Sequence, residues 1–132
     1  MQRIINILLV DDVEYTRDLL RGAINACIDA SDLPLEPKFL QTSLGRRALK
    51  MITETSIDIL FLDIELPDLN GITILREVKD TSPSTYTVMV SGESSSENVV
   101  ESIKYGANGF IAKPFNTERI QESLLKFLKH GK

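Results

Sequence analysis

Residues 57–63, Ile57-Asp58-Ile59-Leu60-Phe61-Leu62-Asp63, are a nearly unbroken apolar run that ends in a carboxylate. Behind it lies Ile64-Glu65-Leu66-Pro67-Asp68-Leu69-Asn70-Gly71, a segment dense in turn residues. An apolar run this short, bounded by turn signals, reads as a strand covered on both faces. Such strands belong to parallel sheets. An open parallel sheet places its chemistry just beyond the carboxyl ends of its strands, where the strand order reverses. Asp63 falls at that place. An isolated Asp at a strand end commonly does no more than cap the following turn, so Asp63 gains meaning only from residues elsewhere that share its position.

Taken in order, the chain predicts a first strand over 4–10, with Asp11-Asp12 at its carboxyl end. A helix over 14–30 follows, its apolar stripe made by Leu19, Leu20, Ala23, Ile24, Cys27 and Ile28. Residues 30–37 read as a rather long loop, because neither Pro34 nor Pro37 can sit inside a helix. The second strand is short, 38–41, and Pro37 at its start predicts an edge position. Helix two spans 45–53 and strand three 57–62; helix three spans 71–79 and strand four 85–90, with Ser91-Gly92 behind it. Ser94-Ser95-Ser96-Glu97 is a capping-box candidate for helix four, which carries the apolar residues Val99, Val100 and Ile103. Strand five spans 109–112 and is followed by Lys113-Pro114. Asn116 can cap helix five, which runs to about Lys129 through Ile120, Leu124, Leu125 and Leu128. Five strands alternating with five helices call for a parallel sheet with helices on both faces.

Composition narrows the function. The 132 residues suit one domain over 1–132. The net charge of −4 supplies no basic excess for neutralising phosphates, so neither nucleic acid nor an anionic membrane is an expected partner. One cysteine, Cys27, excludes an internal disulfide and falls at core spacing, and the one histidine, His130, lies at the frayed end. The opening apolar run is interrupted by Asn6 and stops at two acids, with no small-residue cleavage site. It reads as the first strand of a cytoplasmic protein rather than a signal peptide. No segment is long enough to span a membrane.

Polar groups now stand beyond four strand ends: Asp11 and Asp12, Asp63, Ser91 and Lys113. Each alone has an ordinary explanation as a cap, a turn hydroxyl or a surface charge. Together they put three carboxylates, a hydroxyl and an ammonium on one rim. Converging carboxylates need a cation or a raised pKa to relieve their repulsion. A hard divalent ion with oxygen ligands and several waters suits such a site, and Mg²⁺ is the usual occupant.

On Asp11-Asp12, Asp63-Ile64-Glu65-Leu66-Pro67 with Gly71 behind it, Ser91-Gly92, and Lys113-Pro114-Phe115, the chain resembles a response-regulator receiver domain of the chemotaxis-regulator type. The resemblance covers nearly the whole chain. It implies a flavodoxin-like doubly wound sheet of strand order 2-1-3-4-5. It also implies a two-component signalling domain rather than an enzyme acting on an external substrate. Asp63 would accept a phosphoryl group from a sensor histidine kinase or phosphotransfer protein. Asp11, Asp12, Asp63 and the backbone carbonyl of Glu65 would hold Mg²⁺. Lys113 would pair with the phosphoryl oxygens, and Ser91 would hydrogen-bond one of them. Ser91 and Phe110 would form the switch, relaying the signal to a partner-binding face of helix four, strand five and helix five for a downstream protein or output domain. Pro114 would follow a cis peptide bond. Glu65 and Glu93 would border the water path and so set the lifetime of the phosphorylated state. Two positions depart from the commonest pattern. Ser91 lacks the methyl of the more frequent Thr, and Phe110 lacks the hydroxyl of the more frequent Tyr.

Three other readings fit less of the chain. A haloacid-dehalogenase-type phosphohydrolase shares the aspartyl nucleophile but places it after the first strand, with an Asp two positions on, where this chain has Glu65. A flavodoxin-like cofactor binder needs a phosphate loop after the first strand, which Asp11-Asp12 would repel. A receiver reduced to a docking module would not retain every acidic, hydroxyl and Lys position. The chain is expected either to stand alone or to be cut from a longer regulator or hybrid kinase.

Overall fold

The computed structural model describes residues 2–92 and 96–130. Its elements are β1 (Arg3–Val10), α1 (Glu14–Ala30), β2 (Leu35–Thr42), α2 (Gly45–Glu54), β3 (Ile59–Asp63), α3 (Gly71–Thr81), β4 (Tyr86–Ser91), α4 (Ser96–Lys104), β5 (Gly109–Ala112) and α5 (Thr117–Lys129). The strands are all parallel and lie in the order β2-β1-β3-β4-β5, as expected.

Alternation along the strands divides the core into two layers. Ile5, Ile7 and Leu9 of β1 and Ile59 and Phe61 of β3 point to one face, where Leu20, Ile24 and Cys27 of α1 and Ile120, Leu124 and Phe127 of α5 cover them. Leu8, Val10, Leu60 and Leu62 point to the other face, beneath Ala48 and Ile52 of α2 and Ile74, Leu75 and Val78 of α3. Two-sided cover explains why β3 is buried at every residue and carries no polar alternation.

Several expectations are corrected. The loop over 30–37 is shorter, because β2 begins at Leu35 and pairs with β1 from Arg3 onward. Pro37 therefore lies inside the strand, tolerated because β2 is an edge. The connection itself is anchored: Leu33 is buried and its N–H donates to the Ile28 carbonyl at 3.0 Å. Leu19 of α1 and Leu125 of α5 are exposed, and Phe127 takes the core place that the spacing gave to Leu125. The larger departure is α4. Val100 and Ile103 face outward, 62% and 66% exposed, and the buried residue of the helix is Ser102. Helical spacing marks which residues share a face but not which face meets the sheet. Ser94 and Ser95 of the proposed capping box lie outside the described residues.

Exposed α4 side chains should therefore contribute little to stability. Ile103→Ser and Val100→Ser are expected to change unfolding free energy by less than about 0.5 kcal/mol. Ile74→Ala, from a fully buried site, should cost about 2–5 kcal/mol. Urea unfolding of the three variants checks this; equal losses at Ile74 and Ile103 would contradict the outward placement of α4.

Candidate functional site

The site forms at the carboxyl edge of the sheet because β1 and β3 are adjacent and end together. Val10 pairs with Leu62, so the next residue of each strand, Asp11 and Asp63, emerges at the same edge. Both are buried, while Asp12 is exposed. Carboxylate oxygens of Asp11, Asp12 and Asp63 all lie within 4.8 Å of one another, a group that can hold a metal ion. Small oxygen-only ligand sets of this kind suit Mg²⁺.

Lys113 offsets the buried negative charge. Its Nζ donates to Asp11 Oδ2 at 2.7 Å and to Asp63 Oδ2 at 3.2 Å. Burial alone would lower the lysine pKa, but the hydrogen bond to Asp11 and the charges of both carboxylates outweigh it and hold the ammonium above its ordinary value. Asp63 is pushed the other way. Burial raises its carboxyl to about 6; Lys113 opposes that rise and the Asp11 charge adds to it.

The loop after Asp63 is fixed through its backbone. The Glu65 N–H donates to Asp63 Oδ1 at 3.2 Å, and the Gly71 N–H donates to the Ile64 carbonyl at 2.7 Å. Gly71 is required by close approach: a Cβ there would lie 2.3 Å from the Asp63 carbonyl oxygen and 2.6 Å from Ile64 Cα. Asn70 caps α3 by accepting from the Ile72 N–H at 2.8 Å. Ser91 is fully buried and its hydroxyl donates to both Glu65 carboxylate oxygens, at 2.8 and 3.0 Å. Phe110 is half-buried and packs on the core layer beneath α3. The Lys113–Pro114 peptide is cis. Glu93 lies outside the described residues. The structure thus gathers Asp11, Asp12, Asp63, Glu65, Ser91 and Lys113 at one edge, with Phe110 on the neighbouring strand opposite Met89, two residues back from Ser91.

Sequence reasoning missed two supports. Arg17 Nη1 donates to the Asp11 carbonyl at 2.6 Å while its Nε donates to Gln41, tying α1 and β2 to the Asp11 loop. Asp68 accepts from the Gly45 and Arg46 N–H groups at 2.8 and 3.0 Å, clamping the loop after β3 to the start of α2. A signal existed for the second: position 44, ahead of α2, is Leu and offers no cap of its own. The alternative role for Asp11 is also present, since its Oδ1 accepts from the Val13 N–H at 2.9 Å ahead of α1.

A family model described as the response regulator receiver domain matches residues 7–125. A chemotaxis protein CheY from Listeria monocytogenes is 31% identical over 125 residues, covering 95% of this chain and 99% of that protein. One from Thermotoga maritima is 32% identical, covering 93% and 97%. Among solved structures, a CheY-like receiver domain protein from Methanospirillum hungatei superposes with a TM-score of 0.78 at 28% identity, covering 98% of this chain and all of that one.

The raised Asp63 pKa carries a pH dependence. The unfolded carboxyl ionises near 3.8 and the folded one near 6. Between those values the folded state holds a proton that the unfolded state has released, so stability falls as pH rises through that window. Below it Asp63 costs nothing, and above it the ionisation penalty is complete. In chelator-treated protein, Asp63→Asn should gain roughly 1–3 kcal/mol at pH 7.5 and almost none at pH 4. Denaturant unfolding at the two pH values measures it. An equal gain at both would assign the effect to packing rather than charge.

Proposed function

The chain belongs to the response regulator receiver domain family, a signalling domain of two-component systems, and from that premise we propose that Asp63 is its phosphoryl acceptor. The observation that carries this reading is the Asp63 carboxylate itself. It stands at the end of a central strand, with one oxygen on the Lys113 ammonium and the other on the Glu65 N–H.

In the proposed reaction an Asp63 oxygen attacks the phosphorus of a phosphohistidine on a sensor kinase or phosphotransfer protein. A P–O bond forms to Asp63 and the P–N bond breaks, its electron pair leaving with the imidazole. Lys113, held protonated, supplies a fixed positive charge to the phosphoryl oxygens. Asp11, Asp12, Asp63 and the Glu65 carbonyl would hold Mg²⁺, which would supply positive charge against the phosphoryl oxygens. Ser91 donates a hydrogen bond from its hydroxyl to a phosphoryl oxygen. Phe110 then shifts toward the space vacated, biasing an equilibrium that already exists. Glu65 borders the path of the hydrolytic water and sets how long the phosphoryl group lasts, with Glu93 the second residue proposed for that role.

Two surfaces support the partner assignments. Tyr15 and Leu19 are exposed on α1 beside Lys113, Pro114 and Phe115, so an incoming kinase meets apolar surface next to the acceptor. Val100 and Ile103 are exposed on α4, and exposed apolar side chains on that helix support a docking face of α4, β5 and α5 for a downstream protein or output domain. A net charge of −4 favours protein over nucleic acid as the partner. No described helix is long and apolar enough to cross a membrane; we propose a cytoplasmic site of action.

With Mg²⁺ and a small phosphodonor, intact-mass analysis should show one added phosphoryl group on the wild type and none on Asp63→Asn. Equal labelling of the two would place the acceptor elsewhere.

Mg²⁺ should raise the melting temperature of the wild type, and chelation should reverse the rise. The double variant Asp11→Ala, Asp12→Ala should lose that response, and Asp12→Ala alone should melt no lower than metal-free wild type, because one of three mutually repelling carboxylates has been removed. An undiminished Mg²⁺ response in the double variant would put the ion at another site.

A further inference from the structure

We infer that the Glu65 carboxylate is a latch on the switch hydroxyl: it holds Ser91 in the unphosphorylated protein and must release it before Ser91 can follow a phosphoryl group. The inference rests on the reading of Asp63 as acceptor and Ser91 as switch, and it adds a positioning residue to that switch.

Asp63 pairs with Val90, so Ser91 lies one residue beyond the acceptor on the neighbouring strand. The loop after β3 then turns back sharply. The Glu65 N–H bonds to Asp63 Oδ1, Glu65 bridges to Asn70, and Gly71 leaves no room beside the Asp63 carbonyl. With its backbone fixed, the Glu65 side chain reaches Ser91 Oγ with both carboxylate oxygens. Glu65 is exposed, whereas Ser91 is fully buried. The contact is therefore an exposed acid reaching in to hold a buried hydroxyl.

A serine hydroxyl carries a single proton. While that proton is donated to Glu65, it cannot also be donated to a phosphoryl oxygen on Asp63. Hydrogen bonds to an ionised acceptor are the stronger class, so the hydroxyl is held rather than idle. A phosphoryl group on Asp63 reverses the balance in two ways. Its oxygens compete for the Ser91 proton, and its negative charge repels the Glu65 carboxylate. Phosphorylation thus opens the latch, and Glu65 limits how far the switch populates its active arrangement beforehand.

The test compares metal-free wild type, Glu65→Ala and Glu65→Gln by NMR. Alanine removes this acceptor; glutamine keeps an acceptor oxygen without the charge. Three-bond couplings of Ser91 should report the same χ1 populations in wild type and Glu65→Gln, and a changed population in Glu65→Ala. Amide resonances of Ser91 and residues 109–113 in Glu65→Ala should move toward the positions that wild type adopts with Mg²⁺ and beryllofluoride. That movement should correspond to about a tenfold rise in the ratio of switched to unswitched protein. Glutamine should rescue most of it. The latch is refuted if Glu65→Ala keeps the wild-type rotamer and shifts, or if Glu65→Gln frees Ser91 as fully as alanine does. Failure of the acceptor reading looks different: wild type would not respond to Mg²⁺ and beryllofluoride, while the Ser91 couplings in metal-free protein would still report whether Glu65 holds the hydroxyl.

Discussion

The Lys113 ammonium lies between Asp11 Oδ2 and Asp63 Oδ2, and the carboxyl edge of the sheet depends on that contact. Parallel strands ending in register bring two buried carboxylates together whether or not their charges are tolerable. Burying a charge without compensation costs several kcal/mol. The cation comes from the far side of the sheet: β5 is separated from β3 by β4, so Lys113 must reach across the end of β4 to meet the acids. One side chain thereby ties together the ends of β1, β3 and β5. Compensation is incomplete, because burial still raises the Asp63 carboxyl to about 6. That remainder leaves the edge under electrostatic tension, and an additional cation among the acids would relieve it.

The layout of the site was legible because it follows from topology. Once residues 57–62 are read as a fully covered strand, a doubly wound sheet follows, and the residues after each strand must share an edge. Asp11, Asp63, Ser91 and Lys113 needed no knowledge of side-chain packing to be placed together. The contacts that tune them were not legible. Glu65 and Ser91 are 26 residues apart, and nothing local to either marks the other as its partner. Asp68 reads as an ordinary turn residue until the start of α2 is found to lack its own cap. Pro37 marks an edge strand but not where that strand begins, because a missing donor is equally tolerable anywhere along a free edge.

The outward placement of Val100 and Ile103 has a common cause with the function proposed for them. Helix α4 lies over β5, a strand of four residues at the edge of the sheet, where little apolar surface is available to cover. Its buried residue is a serine whose hydroxyl donates to the Asn98 carbonyl within the same helix. Periodicity in the sequence assumes that an apolar stripe finds a core, and here the core is too narrow to take it. A helix with few buried apolar contacts belongs to the low-stability end of a fold, where elements move at small cost.

That weakness is confined to one side of the molecule, and the confinement matters for signalling. The α2 and α3 side is pinned by Asp68, by the close approach of Gly45 to Ile74 and by Gly71 against the Asp63 carbonyl. The loop that carries Glu65 therefore has little freedom to follow a change at Asp63. Ser91 sits at the boundary, hydrogen-bonded to the rigid side through Glu65 and joined along β4 and β5 to the side that carries α4. A charge added at the acceptor edge meets stiff backbone in one direction and a shallowly seated helix in the other. Displacement takes the softer route, so the direction of any response is already set by how unevenly the two sides of the sheet are packed.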